Sequence, residues 1–181
     1  MNRTSSLFGL LAAACLVAAT VLMPGIGHAQ ADARVAKSME TLKAMTAKLG
    51  APKLDGRQAI GDGLAIGGKD APGLYFGSTL VNNNFEIVDA IGNEDGKGMT
   101  ATLFVKNGDE YIRVSTSVPK PDGSGRAIGT VLAGPALESI KAGEAHYGEV
   151  PILGTPYITG YEPIKDESGA IIGVYYVGYK K

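Results

Sequence analysis

Short segments in which apolar and polar residues alternate fill the chain after residue 74, and they restrict its possible folds more than any other pattern in the sequence. β-branched and aromatic residues are frequent there, and glycine, asparagine and aspartate bound the segments. This pattern is typical of antiparallel strands joined by tight turns. We predict strands at residues 85–91, 100–106, 111–118, 149–153, 157–164 and 170–179, with Asn107-Gly108 as a hairpin turn. Pro135 opens a short predicted helix at 135–142.

A longer helix is predicted before these strands, at residues 31–49. Its apolar side chains recur at steps of three and four, which places them on one face of an amphipathic helix: Val35, Met39, Leu42, Met45 and Leu49. A helix followed by about five antiparallel strands makes an α+β domain. Because the apolar stripe must be buried somewhere, the helix favours a homodimer, unless the stripe packs on the chain's own sheet.

The first 29 residues have the layout of a secretory signal peptide. A positive charge at Arg3 precedes an apolar run at 7–23, and Gly27 and Ala29 are the small residues that a cleavage site needs. The run is at the short end of what spans a bilayer, so an uncleaved anchor is the alternative. We expect cleavage after Ala29 and a single periplasmic or secreted domain at 30–181. No second apolar span follows it in the sequence, so signalling output is expected from a membrane-bound partner.

Composition argues against several kinds of chemistry. The single cysteine, Cys15, and His28 lie in the segment expected to be removed, so disulfides and Cys/His zinc sites are not expected. His146 is then the only histidine available as a catalytic base, and we expect no enzyme activity and no cofactor. A formal charge of −1 without a basic stripe argues against nucleic-acid binding.

The placement of arginine in the strand region indicates a binding site. Alternation places Arg113 and Ser115 on one face of their strand, and a later strand repeats this pattern with Tyr157 and Thr159. A guanidinium holds a carboxylate through two parallel hydrogen bonds, and tyrosines add apolar walls with a polar tip. Such a surface suits a small organic anion. The alternative is that Arg113 faces solvent and pairs with a nearby carboxylate.

Many short motifs in the C-terminal two thirds follow one another in the order found in a known family. They include YFG (75–77), ATLFV (101–105), YIRVSTSV (111–118), DGSGRAIGT (122–130) and GTPYIT (154–159). In these motifs the chain resembles the Cache sensor domains, of the Cache 3/Cache 2 fusion type that bacterial chemoreceptors carry outside the membrane. The resemblance implies a PAS-like antiparallel sheet with a long N-terminal helix, and ligand binding rather than catalysis.

The resemblance also implies a site. In this family small organic acids or amino acids bind between the sheet and its distal loops, at the positions that Arg113, Arg126, Tyr147 and Tyr157 occupy here. We expect both arginines to face one cavity that the two tyrosines wall. The leading hypothesis is an extracytoplasmic sensor domain for a small carboxylate or amino acid. The alternative is a periplasmic protein-interaction or structural module without a small-molecule ligand.

Overall fold

A computed structural model describes residues 32–55, 64–66, 69–95 and 98–181, so the expected signal peptide at 1–29 lies outside the described residues. In chain order the elements are α1 (Ala33–Ala47), β1 (Pro52–Asp55), β2 (Leu64–Ile66), β3 (Lys69–Ala71), β4 (Gly73–Phe76), β5 (Thr79–Leu80), α2 (Glu86–Asp95), β6 (Met99–Asn107), β7 (Glu110–Thr116), α3 (Pro135–Lys141), β8 (His146–Ile152), β9 (Thr155–Lys165) and β10 (Ile171–Lys180). None of the described helices is long and apolar enough to cross a membrane.

Five antiparallel strands form the main sheet, in the order β7-β6-β10-β9-β8. With α1 ahead of it in the chain, this sheet confirms the predicted PAS-like α+β fold. The predicted turn between β6 and β7 is displaced by one residue, because Asn107 pairs with Glu110 and leaves Gly108 and Asp109 as the turn. Gly108 has a φ of 60°, which suits a glycine at the first central position of a hairpin turn.

Helices α1 and α2 cover one face of the main sheet, which we call the helix face. Three residues of the stripe predicted along α1 are buried there, since Val35, Met39 and Leu42 are at most 1% exposed, whereas Leu49 lies beyond the end of the helix and is 37% exposed. The three buried residues belong to one cluster with sheet residues such as Leu103 and Val177. The chain's own sheet therefore covers this part of the stripe, which favours the alternative in which the stripe packs on that sheet.

The strand predicted at residues 85–91 is wrong, because α2 occupies this part of the chain. The Asn84 side chain accepts a hydrogen bond from the Glu86 N–H at 3.1 Å, which caps the first turn of the helix. Glu86 and Asp89 place negative charge near the N-terminus of the helix, where it is favourable. Val88 and Ile91 lie three residues apart and are both buried. A short apolar run rich in β-branched residues fits the period of a helix as well as that of a strand, so periodicity alone does not distinguish them.

The opposite face of the sheet, which we call the loop face, is covered by residues 117–134 and by α3. Apolar side chains from both sides form its cluster: Val118, Ala127, Leu132, Ala136 and Ile140 from the cover, and Phe104, Tyr111, Val150, Ile152, Tyr157, Tyr161, Val174 and Tyr176 from the sheet. The covering segment also pairs with β7. The Arg113 N–H donates to the Thr130 carbonyl oxygen, and the Gly129 N–H donates to the Arg113 carbonyl oxygen, both at 2.9 Å.

Candidate functional site

Arg113 is a buried charge on the loop face. It is 5% exposed, and its guanidinium carbon lies 4.9 Å from the centroid of the Phe104 ring. Nη1 donates to Thr130 Oγ1 at 2.5 Å, whereas Nε is buried and has no hydrogen-bond partner. No carboxylate in the described part of the chain forms an ion pair with this guanidinium. Burial lowers the pKa of Arg113, and an unpaired cation in such surroundings is costly.

Three tyrosines lie close enough to Arg113 to interact with its charge: Tyr157, Tyr161 and Tyr176. Tyr161 and Tyr176 face each other across β9 and β10, with ring centroids 5.0 Å apart. Burial raises the pKa of all three hydroxyls, so they stay neutral and keep their protons for donation. The Tyr176 hydroxyl already shares a hydrogen bond with Thr100 at 3.2 Å, so Tyr161, which lines a cavity beside Arg113, is the tyrosine best placed to donate to an anion there.

A cavity of about 140 Å³ opens beside Arg113. Its lining residues divide by exposure. The buried ones form the inner end: Arg113, Tyr161, Leu132, Val150 and Ile152. The exposed ones form the mouth: Ala133, Pro151 and Leu153. The cavity therefore combines a charged and hydroxyl-bearing inner end with apolar walls.

Of the predicted site residues, only Arg113 lines the cavity. Tyr157 lies in the loop-face cluster and its hydroxyl interacts electrostatically with Arg113, but it does not form a cavity wall, contrary to the expectation. Thr159 lies on the same loop face, two residues along β9 from Tyr157, and pairs with Gly178 of β10. Its hydroxyl donates to the Gly148 carbonyl oxygen at 2.8 Å, and it does not line the cavity. Thr159 thus connects β8 and β9 beside the site.

Ser115 lies on the helix face, so the expectation that it shares a face with Arg113 is wrong. Arg113 pairs with Phe104 and Ser115 pairs with Leu103, and neighbouring strand residues point to opposite faces. The extra residue is Val114, which forms a β-bulge where the register of β6 and β7 shifts. The Ser115 hydroxyl donates to the Asn84 carbonyl oxygen at 2.5 Å and so links β7 to the segment just before α2.

Tyr147 also lies on the helix face rather than in the cavity wall. It pairs with Gly160 of β9, whose missing side chain leaves room for the tyrosine ring. Its hydroxyl donates to Glu162 Oε1 at 2.5 Å, and Glu162 in turn binds Lys43 of α1 at 2.7 Å. Tyr147 therefore connects the sheet to α1.

Arg126 does not share the cavity with Arg113, contrary to the expectation. It binds both carboxylate oxygens of Asp89 in α2, and its guanidinium carbon lies 4.4 Å from the centroid of the Phe85 ring. Arg126 lies outside the cavity because the Asp89 carboxylate binds its guanidinium through two parallel hydrogen bonds. Arg113 lacks such a bidentate partner.

The structure adds four residues to the site that the prediction omitted, and the first is Tyr161, which lines the cavity. Tyr176 enters through the pairing of β9 with β10, Thr130 through its hydrogen bond to Arg113, and Leu153 through its place at the cavity mouth. Alternation along the predicted strand at 157–164 gave a signal for Tyr161, which shares a face with Tyr157, whereas Leu153 falls within the predicted strand at 149–153. The contacts of Thr130 and Tyr176 are tertiary. No group of three or more metal-binding side chains occurs within the described ranges.

The family model of the Cache 3/Cache 2 fusion domain matches residues 27–181. The comparison with curated proteins gives no match.

Proposed function

The chain belongs to the Cache 3/Cache 2 fusion family, and we propose that its loop-face cavity binds a small organic carboxylate through Arg113. Domains of this family sense small molecules outside the cytoplasm. The observation that carries the proposal for the ligand is the buried Arg113 guanidinium with its unpartnered Nε. A carboxylate would provide both the missing acceptor and the counter-charge.

The donors around Arg113 have the geometry that a carboxylate requires. Thr130 occupies Nη1, which leaves Nε and Nη2 as two parallel donors on one edge of the guanidinium. This edge can bind both oxygens of a carboxylate at once. The neutral hydroxyl of Tyr161, which also lines the cavity, can donate a further hydrogen bond.

The size of the cavity limits the ligand. A volume of about 140 Å³ is close to that of an apolar cavity of roughly 150 Å³ that holds benzene, so we expect about six non-hydrogen atoms. We further propose that residues 30–181 are the mature domain, located in the periplasm or secreted, and that a membrane-bound partner detects its ligand-bound form. The family match over residues 27–181 supports a single domain in this part of the chain.

A thermal-shift screen of small organic acids and amino acids tests the proposal. A ligand at 100 times its dissociation constant adds roughly 2.7 kcal/mol to stability, which is readily measured. Calorimetry with Arg113→Lys should then show at least about tenfold weaker binding, because lysine keeps the charge but cannot form two parallel hydrogen bonds to a carboxylate. Arg126→Lys is the matched control and should bind as the wild type does. If no acid raises the unfolding temperature, or if Arg113→Lys binds normally, the proposal is wrong.

A further inference from the structure

The turn between β8 and β9 contains a leucine in an unfavourable conformation. Ile152 pairs with Thr155, so Leu153 and Gly154 are the two central residues of the turn. Their φ angles are 48° and 85°, and a turn with two positive φ angles favours asparagine, aspartate or glycine at the first position. In a leucine this conformation brings Cβ close to the following carbonyl oxygen. Leu153 therefore introduces backbone strain that a polar turn residue would avoid.

Leu153 is also unusual in its exposure. At 39% it is one of two large apolar side chains exposed in the described ranges, the other being Leu49 at 37%. Strained residues cluster at ligand-binding sites, where the strain persists for a functional reason. Leu153 lines the mouth of the cavity that contains Arg113, so strain, exposure and the candidate site coincide at one residue.

We propose that Leu153 covers the apolar tail of the bound carboxylate and thereby selects a monocarboxylate with a short hydrocarbon chain. This inference rests on the proposed function, since Arg113 holds the carboxylate end. On ligand binding, the exposed leucine would gain an apolar partner at the mouth of the cavity. The favourable contact would offset the cost of placing leucine in this turn.

The other lining residues favour the same class of ligand. The walls beyond Arg113 and Tyr161 are apolar, and the cavity has no acidic side chain and no second cation among its described lining residues. The ammonium group of an amino acid, or the second carboxylate of a diacid, would thus be desolvated without a charged partner. A hydrocarbon tail has no such cost, and each methylene buried should raise affinity about fourfold.

Calorimetry with acetate, propionate and butyrate on the purified wild type and on Leu153→Asn tests the inference. In the wild type, affinity should rise from acetate to butyrate. In Leu153→Asn, we expect acetate binding within about twofold of the wild type and a preference for butyrate over acetate that is at least about threefold smaller. The ligand-free variant should unfold about 2 to 4 °C higher, because asparagine suits the turn. Leu49→Asn is the matched control and should leave the butyrate preference unchanged.

The possible failures are distinguishable. If butyrate and acetate bind the wild type and Leu153→Asn with the same preference, the role of Leu153 is wrong while the Arg113 site stands. If glycine or succinate binds the wild type more tightly than butyrate, the class of ligand is wrong. If none of the monocarboxylates binds the wild type, the inference fails, and the wider acid screen decides whether the proposed function fails as well.

Discussion

Arg126 binds Asp89 through two parallel hydrogen bonds of 2.7 and 2.9 Å, and its Nη1 also donates to the Thr116 carbonyl oxygen at 2.8 Å. The pair ties the segment that covers the loop face to α2, which lies on the helix face. Both side chains are partly exposed, at 35% and 41%, so water and salt screen the interaction.

Asp89→Asn should lower the free energy of unfolding by about 0.5 to 1 kcal/mol, because it removes the charge but keeps the shape of the side chain. Urea denaturation measures this change, and the loss should shrink at high salt. Carboxylate affinity should stay within about twofold of the wild type, since Arg113 is untouched. A large loss of binding in Asp89→Asn would instead place Arg126 in the functional site.

Arg113→Met should abolish carboxylate binding and raise the stability of the ligand-free protein by about 1 kcal/mol. Replacing a buried charge that lacks a counter-ion by an apolar side chain of similar length removes a desolvation cost. Chemical denaturation without ligand tests the gain in stability, and calorimetry with propionate tests the loss of binding. Destabilisation by more than about 2 kcal/mol would mean that Arg113 has a structural role that the buried Nε does not indicate.

Thr130→Val should weaken carboxylate binding by about fivefold to tenfold while the protein stays folded. Valine has nearly the same shape, but it cannot accept the hydrogen bond from Arg113 Nη1 that fixes the guanidinium. Thr159→Val is the control, because its hydroxyl binds the Gly148 carbonyl oxygen and not the arginine. Equal effects of the two substitutions on calorimetric affinity would refute a positioning role for Thr130.

Stability should fall as the pH drops below about 6.5, the ordinary pKa of histidine, because burial lowers the pKa of His146 in the folded protein. The unfolded chain then binds the proton more readily than the folded chain, so protonation favours unfolding. The stability that neutral His146 contributes is fully present above pH 6.5 and is lost as the pH falls from there through the lowered pKa of the folded protein. The His146 ring contacts Ser139 of α3, 3.3 Å from Nδ1, and the ring of Tyr161.

Unfolding temperatures of the wild type and His146→Gln between pH 5 and 8 test this assignment. The variant should show a flatter profile. Asp122 and Asp166 do not affect the profile between pH 5 and 8, because hydrogen bonds hold their pKa values below 3.8. The stability that these two carboxylates contribute is lost only as the pH falls below that value. Parallel profiles in both proteins would show that other groups cause the dependence.

Gly160→Ala should destabilise the protein by about 1 to 3 kcal/mol, because an added methyl group overpacks a tight site. It would lie 2.6 Å from the Tyr147 ring and 2.9 Å from Val35 Cγ1. Thermal denaturation measures the cost, and Gly108→Ala provides a contrast in which strain alone acts, since nothing lies within 4 Å of its methyl position. Ligand binding should persist in Gly160→Ala, because Tyr147 is outside the cavity.

Periodicity predicted those elements in which one face is buried without interruption. Val35, Met39 and Leu42 of α1 follow this rule. Strand β10 was found instead by its long apolar run, which is buried on both faces of the sheet. Residues 85–91 do not follow this rule, because their apolar run fits a helix as well as a strand. The capping side chain of Asn84 and the two acidic residues in the first turn favour the helix. Local capping chemistry outweighed composition there.

The candidate site was only partly predictable, for two physical reasons. A single inserted residue, Val114, reverses the face of everything after it in β7, and alternation cannot show where a bulge falls. Cross-strand register then decides on which face of the sheet each tyrosine lies, so Tyr157 belongs to the loop-face cluster while Tyr147 packs on the helix face. Thr130 reaches Arg113 through a tertiary hydrogen bond that no local pattern encodes.

The segment 117–134 has a second effect, on how the protein behaves in concentrated solution. Strand β7 is one of the two outer strands of the main sheet, and the backbone groups of Gly129, Thr130 and Leu132 bond to its outer side. An outer strand with unpaired backbone groups can recruit another molecule and start fibril growth. This segment blocks such recruitment at β7, and on the other outer strand, β8, Pro151 lacks an N–H donor. The cover of the cavity therefore also protects the outer edge of β7 from pairing with another strand.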